Sequence, residues 1–263
     1  MNLVLRYAIK MSTLSNSVAI IATGDEMING EIANSNAQYI AQQLWQNHFD
    51  LGIQMIVSDK QTDLEAAIGF ALDNNRAVIT IGGLGPTLDD RTRFAIANCM
   101  RRPLVFNKDV WQAINRLRAR RKLRDLPENN RQQAMFIANS HILQNHHGTA
   151  AGFMVRAQTA IVTALPGPPR ECLPMFDNRV LPQLLSEIKP AKQYRKAWTL
   201  MNVSESHIAS LAEPLVADLN IELGFRVYKP LLDVKISADN KKDFERAVAL
   251  LENLFAERKV NIR

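Results

Sequence analysis

The segment IGGLGPTLDDRT, Ile81 to Thr92, sets Gly82, Gly83, Gly85, Pro86 and Thr87 directly behind the apolar run RAVITI and adds the acid pair Asp89 and Asp90. Glycines lacking a Cβ let backbone N–H groups approach an oxyanion, and a helix starting next would aim its N-terminus at the same point. Each charge-assisted hydrogen bond there contributes about 1.5–3 kcal/mol. The acids oppose it, since two like unit charges ~4 Å apart cost about 4 kcal/mol at an effective dielectric of 20. A divalent cation reverses the sign. Aspartate oxygens suit Mg²⁺, Mn²⁺ or Co²⁺, and such an ion polarises a phosphoryl oxygen and activates water. The loop is not GxGxxG, because Leu88 stands where the third glycine would fall, and no Gly-Lys-Ser/Thr follows as in a P-loop.

Two other stretches deliver the same residue types. SVAIIAT ends in Gly24-Asp25-Glu26, and GIQMIVS is followed by Asp59. Ligands of an open parallel sheet bind beyond the carboxyl ends of its strands, so three such ends make Asp25, Asp59, Asp89 and Asp90 candidate metal ligands. A nucleotide-type small molecule is the partner this chemistry suits.

The elements that must hold these ends read as β-α-β-α-β. Between the first two strands, Ala37, Ile40, Ala41, Leu44 and Trp45 fall on one helical face. Between the second and third, Thr62 and Glu65 stand in capping-box spacing ahead of Leu64, Ala67, Ile68, Ala71 and Leu72. The strands read as too apolar to be wetted on either side, which predicts a parallel sheet covered by helices. Further on, KDVWQAINRLRARRKLRDL reads as a helix, AAGFMV and TAIVTAL as strands, and Pro169 as the first turn of another helix. A linker is expected near Pro190. Beyond it the pattern changes to short strands with helices from near Ser204 and Lys241, a small α+β domain. Its size predicts packing on the first domain or on a second subunit, and we expect a homo-oligomer, a dimer foremost.

Composition narrows the class. Hydrophobic residues make up 47% of the 263, enough for a sizeable core, and the net charge of +6 favours anionic partners without selecting one. Two cysteines with no CxxC pair fit a reducing compartment rather than a disulfide framework or structural zinc. Residues 1–15, broken by Arg6 and Lys10, fail as a signal peptide and read as an extension, with Met11 an alternative start. With no apolar run of membrane-spanning length, the expectation is a cytoplasmic protein with no membrane partner.

Taken in order, GDEMINGEIANSNAQYIAQQL, VSDKQTDLEAAI, GGLGPTLDDRT, NNRQQA, GTAAGF and LPGPPRE resemble the successive motifs of the competence/damage-inducible CinA family over about residues 17–255. The resemblance implies a three-layer α/β/α molybdopterin-binding-like domain with a mostly parallel sheet, 16–190, then a small KH-like α+β domain, 191–263. It implies metal-dependent hydrolysis of ADP-ribose at its pyrophosphate. Asp59 and Asp90 match acidic positions tied to metal and catalysis in related cofactor enzymes. Gly82, Gly83, Gly85, Pro86 and Thr87 match the phosphate loop, Asn34 and Asn36 match a characteristic turn, and Gly24 joins this phosphate- and nucleotide-binding set. Many members add a C-terminal domain that deamidates nicotinamide mononucleotide. The chain stops at Arg263, just past the small domain, so no such deamidase is expected within it. Many members carry Thr at the position of Asp25, and a proline often follows the Gln133-Ala134 step, where this chain continues Met135-Phe136-Ile137.

Two alternatives stay open. One is a non-catalytic module that holds a pterin or nucleotide. The other is nucleic-acid binding through Arg116, Arg118, Arg120, Arg121, Lys122 and Arg124; the small domain has no GxxG loop in VSESHIASLAEPL, which argues against it. His146 and His147 read as loop residues, since adjacent side chains rarely point at one ion. Cys99 reads as a small apolar residue.

Overall fold

Strand β1 (Ser17–Thr23) is buried along its whole length. Its side chains alternate between two cores. Val18 and Ile20 pack with Ile40, Leu44 and Phe176, whereas Ala19 and Ile21 pack with Leu64, Ile68 and Ile96. A strand that is apolar on both faces needs cover on both, which sets three layers. The computed structural model describes residues 17–120, 127–157, 160–188, 194–258 and 260–262. The expected extension 1–15, the linker near Pro190 and the basic residues at 121, 122 and 124 lie outside the described residues.

After β1 come α1 (Asp25–Ile28), α2 (Ser35–Gln46), β2 (Asp50–Val57), α3 (Gln61–Asn74), β3 (Ala77–Ile81), α4 (Thr92–Met100), β4 (Leu104–Phe106) and α5 (Lys108–Arg120). A 3₁₀ turn, Glu128–Ala134, leads into β5 (Met135–Ile137), β6 (His141–Leu143), β7 (Gly152–Ala157) and β8 (Ala160–Leu165). Then follow α6 (Pro169–Met175), a π-helical turn Phe176–Val180 and α7 (Leu181–Glu187). The main sheet has the order β2-β1-β3-β8-β7-β6. Pairing is parallel from β2 to β8 and antiparallel for β7 and β6, so the sheet is mostly parallel. The chain runs from β1 to β2 on one side, then crosses to β3 on the other. Connections diverge above the carboxyl ends of β1 and β3, the place where an open α/β sheet leaves a crevice.

Two local expectations are corrected. Strand β2 is an edge strand whose residues alternate between half-buried and exposed, with Ile56 45% exposed, so it is wetted where β1 and β3 are not. The Thr62–Glu65 capping box does not form. Helix α3 starts at Gln61 with Lys60 in the cap position, two residues ahead of Thr62, and Glu65 instead accepts from Gln61 Nε2 and from Asn98 Nδ2, both at 2.8 Å.

Two compact units are present, Met1–Pro190 and Ala191–Arg263. The second contains β9 (Tyr194–Met201), α8 (Glu205–Val216), β10 (Glu222–Tyr228), β11 (Leu231–Ala238) and α9 (Lys241–Glu257). Its antiparallel sheet has the order β10-β11-β9. Leu232, Val234 and Ile236, at every second position of β11, meet Leu251 and Phe255 of α9 in a core of their own. Trp198 stands edge-on to Phe255, ring centroids 5.6 Å apart. Among the described residues no helix is long and apolar enough to cross a membrane.

Candidate active site

The loop after β3 is bent by glycine and then pinned by side chains. Gly82 and Gly83 have φ of 98° and 66°, a region that L side chains rarely adopt. A Cβ at Gly82 would stand 2.8 Å from the Thr23 carbonyl oxygen, and one at Gly83 would strike the Thr92 hydroxyl. Thr92, the first residue of α4, donates from Oγ1 to Gly82 O at 2.8 Å and from its amide to Gly83 O at 3.2 Å.

Asp90 organises the rest of the loop. Its Oδ1 accepts from Gly85 N at 2.7 Å, and its Oδ2 accepts from Thr87 N at 2.8 Å and Thr87 Oγ1 at 2.6 Å. Carbonyls are drawn the other way. Gln132 Nε2 donates to Gly85 O at 3.0 Å and Thr87 O at 2.8 Å, and Arg93 Nη2 donates to Leu84 O at 2.9 Å. Arg93 is fully buried, which pulls its guanidinium down to about 10 while the nearby Asp90 charge opposes the drop.

Asp59, after β2, is anchored to the neighbouring strand end. Thr23 Oγ1 donates to its Oδ1 at 2.6 Å and Asp25 N to its Oδ2 at 3.2 Å. In return, Asp59 N lies 3.4 Å from Asp25 Oδ1. The side chain of Asp25 thus braces the turn that carries Asp59.

A cleft of about 650 Å³ opens over these strand ends, within the size range of small-molecule sites. Gly24, Asn34 and Asn36 line it from the segment after β1, and Gly82, Gly83, Gly85, Pro86 and Thr87 line it from the loop after β3. Asp59, Asp89 and Asp90 also face it, and Glu26 lines it where Asp25 was expected. Asn34 has a structural task as well: it caps α2, its Oδ1 accepting from Ala37 N at 3.2 Å. Asn36 reaches across the cleft floor, donating from Nδ2 to Gly167 O at 2.6 Å.

A second set of lining residues is not among the sequence candidates. It comprises Gln133, Thr149, Gly167, Arg170 and Glu171, and their motifs NNRQQA, GTAAGF and LPGPPRE were the only signal. Asn145 ties into this set, donating from Nδ2 to Glu171 Oε2 at 2.7 Å and Ala150 O at 2.9 Å. Its Oδ1 accepts from His147 N and Gly148 N at 2.9 and 2.8 Å.

Charge in the cleft is lopsided. Five carboxylates, those of Glu26, Asp59, Asp89, Asp90 and Glu171, line it with one guanidinium, Arg170. Among the described residues, however, no group of three or more His, Cys, Asp or Glu side chains is close enough to hold a metal ion. The expected set Asp25, Asp59, Asp89 and Asp90 is therefore not assembled as a protein-only cage; the Asp25 side chain is turned to the amide of Asp59 and that of Asp90 to its own loop. Carboxylates so placed would suit a hard divalent ion only with one or two protein ligands, its remaining positions being filled by other oxygens. Asp59 keeps acceptor capacity for this, since each of its oxygens receives a single hydrogen bond.

Other sequence candidates fall elsewhere. Cys99 and Cys172 are free thiols; burial raises the Cys99 pKa and pushes that of Cys172 up to about 12. Arg116, Arg118 and Arg120 lie in the last turns of α5, where Arg118 Nη1 approaches Asn130 Oδ1 at 3.4 Å.

A parallel sheet with a glycine loop and acids at its switch point defines the class: residues 19–186 match the family described as probable molybdopterin binding domain, and the chain belongs to that family. Within it the chain is CinA-like. It is 34% identical over 226 residues to a protein of Caldicellulosiruptor saccharolyticus named as competence-damage inducible, covering 86% of this chain and 54% of that one. To the Bacillus subtilis protein of the same name it is 41% identical over 169 residues, covering 64% of this chain and 40% of that one. The chain thus spans about half the length of the curated relatives it matches. The crystal structure of the protein CinA of unknown function from Thermoplasma acidophilum superposes with a TM-score of 0.60 at 25% identity, covering 65% of this chain and 99% of that chain.

Proposed function

We propose that the cleft is the active site of a metal-dependent nucleotide-diphosphate hydrolase, with ADP-ribose or a close analogue as substrate. The observation that carries the reading is the meeting of Asp59 with the Gly82–Thr87 loop in one carboxylate-rich cleft. Loop amides suit phosphate oxygens, and an excess of acids suits a phosphate only when a cation accompanies it.

A bound Mg²⁺, Mn²⁺ or Co²⁺ would neutralise the phosphates and make the phosphorus more electrophilic. The protein's own groups then have defined tasks. The loop seats the diphosphate, and Asp90 keeps that loop in shape. Asp59 accepts the proton of the attacking water as the new P–O bond forms. The bridging P–O bond breaks, its electrons staying on the departing phosphate, to give AMP and ribose 5-phosphate. Donors aimed at the developing charge stabilise the transition state more than the ground state.

Incubation of the purified chain with ADP-ribose and each divalent ion tests this by product analysis. Asp59→Asn is expected to lower kcat by about 100-fold or more when measured at saturating metal and substrate, the scale of a lost general base. Unchanged turnover at saturating metal removes Asp59 from the mechanism.

The second reading, a non-catalytic module for a pterin or nucleotide, draws on the engagement of Asp90 by three loop donors. Tight binding with no AMP released over hours favours it.

A further inference from the structure

Two buried amide oxygens of the cleft-lining residues, Asn36 Oδ1 and Gln133 Oε1, have no hydrogen-bond partner among the described residues. Asn36 is 8% exposed and Gln133 1%. Native interiors rarely leave such acceptors unpaired. The orientation of Asn36 is fixed, because its Nδ2 donates to Gly167 O, a carbonyl that can only accept. Gln133 places Nε2 3.2 Å from Thr149 Oγ1, a hydroxyl that can engage either end of the amide, and in this orientation Oε1 is the acceptor left over.

An amide oxygen repels a phosphate oxygen, so neither position suits the charged part of a nucleotide. Both call for a donor. Both also stand beside the phosphate loop. Gly167 abuts Gly82, where a Cβ on Gly167 would lie 3.7 Å from the Gly82 Cα. Gln133 directly follows Gln132, which holds the carbonyls of Gly85 and Thr87. In a nucleotide diphosphate, the uncharged donors nearest the phosphates are the hydroxyls of the attached sugar.

We propose that Asn36 and Gln133 are the sugar-reading residues of the site, their amide oxygens accepting from ribose hydroxyls while the Gly82–Thr87 loop takes the diphosphate. This rests on the diphosphate reading above, and it adds the orientation of the ligand: sugar between the two amides, phosphates over the glycines. A site built around buried acceptors discriminates strongly against an analogue lacking the matching hydroxyl, because the acceptors are then buried unpaired.

The test is calorimetric titration of the full chain, with Mg²⁺ present, using ADP, 2′,3′-dideoxyadenosine diphosphate and inorganic pyrophosphate. ADP is expected to bind at least about 10-fold more tightly than the dideoxy compound. Gln133→Met is expected to bring ADP down toward the dideoxy level while leaving pyrophosphate within about 2-fold, as befits a group that touches only the sugar. Gln133→Glu, its new carboxyl held neutral by burial, keeps a carbonyl acceptor and is expected to retain most of the preference. Equal affinity of the unaltered chain for ADP and the dideoxy compound, or binding of neither, overturns the proposal whatever the variants do. No cleavage is needed, so a chain that discriminates sugars yet releases no AMP from ADP-ribose refutes the hydrolase reading alone.

Discussion

At the scale of single residues, Asp90 is the instructive case. Its position beside a phosphate loop suggests chemistry, whereas its carboxylate accepts three hydrogen bonds from Gly85 and Thr87. Asp90→Asn would set an NH₂ group against one of those donors. Leaving such a donor unpaired costs about 1–3 kcal/mol, and the loop would lose its shape. The expected outcome is a KM for ADP-ribose raised by about 10-fold or more, following from that energy, with a smaller change in kcat and a lowered Tm. A fall in kcat alone, with KM and Tm unmoved, would put Asp90 in the chemistry instead. The sequence could name Asp90 but not this task, because its partners include backbone amides, which every residue but proline carries.

At the scale of elements, what could be read from sequence was what is local. The strands β1 and β3 are apolar on both faces, and glycine with acid stands at their ends, so those strands and the glycine-loop side of the cleft follow from pattern, whereas Asn34 and Asn36 rest on the family resemblance. The remaining lining residues do not follow so, since Asn36 and Gly167 meet across 131 residues and no periodicity reports such a pairing. The three-residue strands β4 and β5 are likewise too short to show a period. In the second unit, β9 and α9 are joined by a contact with a pH signature. Glu252 accepts from Lys196 Nζ at 2.7 Å and Trp198 Nε1 at 3.2 Å, and these bonds hold its carboxyl below the ordinary range, the lysine contribution being the larger. A depressed carboxylate adds stability above its unfolded pKa, and that stability is lost as pH falls through the folded one. Acid unfolding followed by fluorescence, with Trp45 and Trp111 replaced by Phe in both proteins so that Trp198 alone reports, should therefore shift in Glu252→Gln, whose stability changes less with pH across the carboxylate range. Parallel acid limbs for both proteins would exclude the contact as a source of acid sensitivity.

At the scale of the whole molecule, each unit carries its own hydrophobic core, and the cleft belongs wholly to the first. The chain carries a net charge of +6, yet the cleft is lined by five carboxylates and one arginine. Encounter and capture are consequently ruled by opposite fields. A distant polyanion feels the surplus of lysine and arginine, an attraction that salt screens over a Debye length of about 8 Å at physiological ionic strength. Under the proposed function, once inside it would meet acids that reject it unless a cation comes too. Stopped-flow mixing with ADP-ribose should show added salt slowing arrival with little effect on departure, while a chelator hastens departure with little effect on arrival. The molecule would then act as a coincidence detector, hailing every phosphate and keeping those that bring a metal.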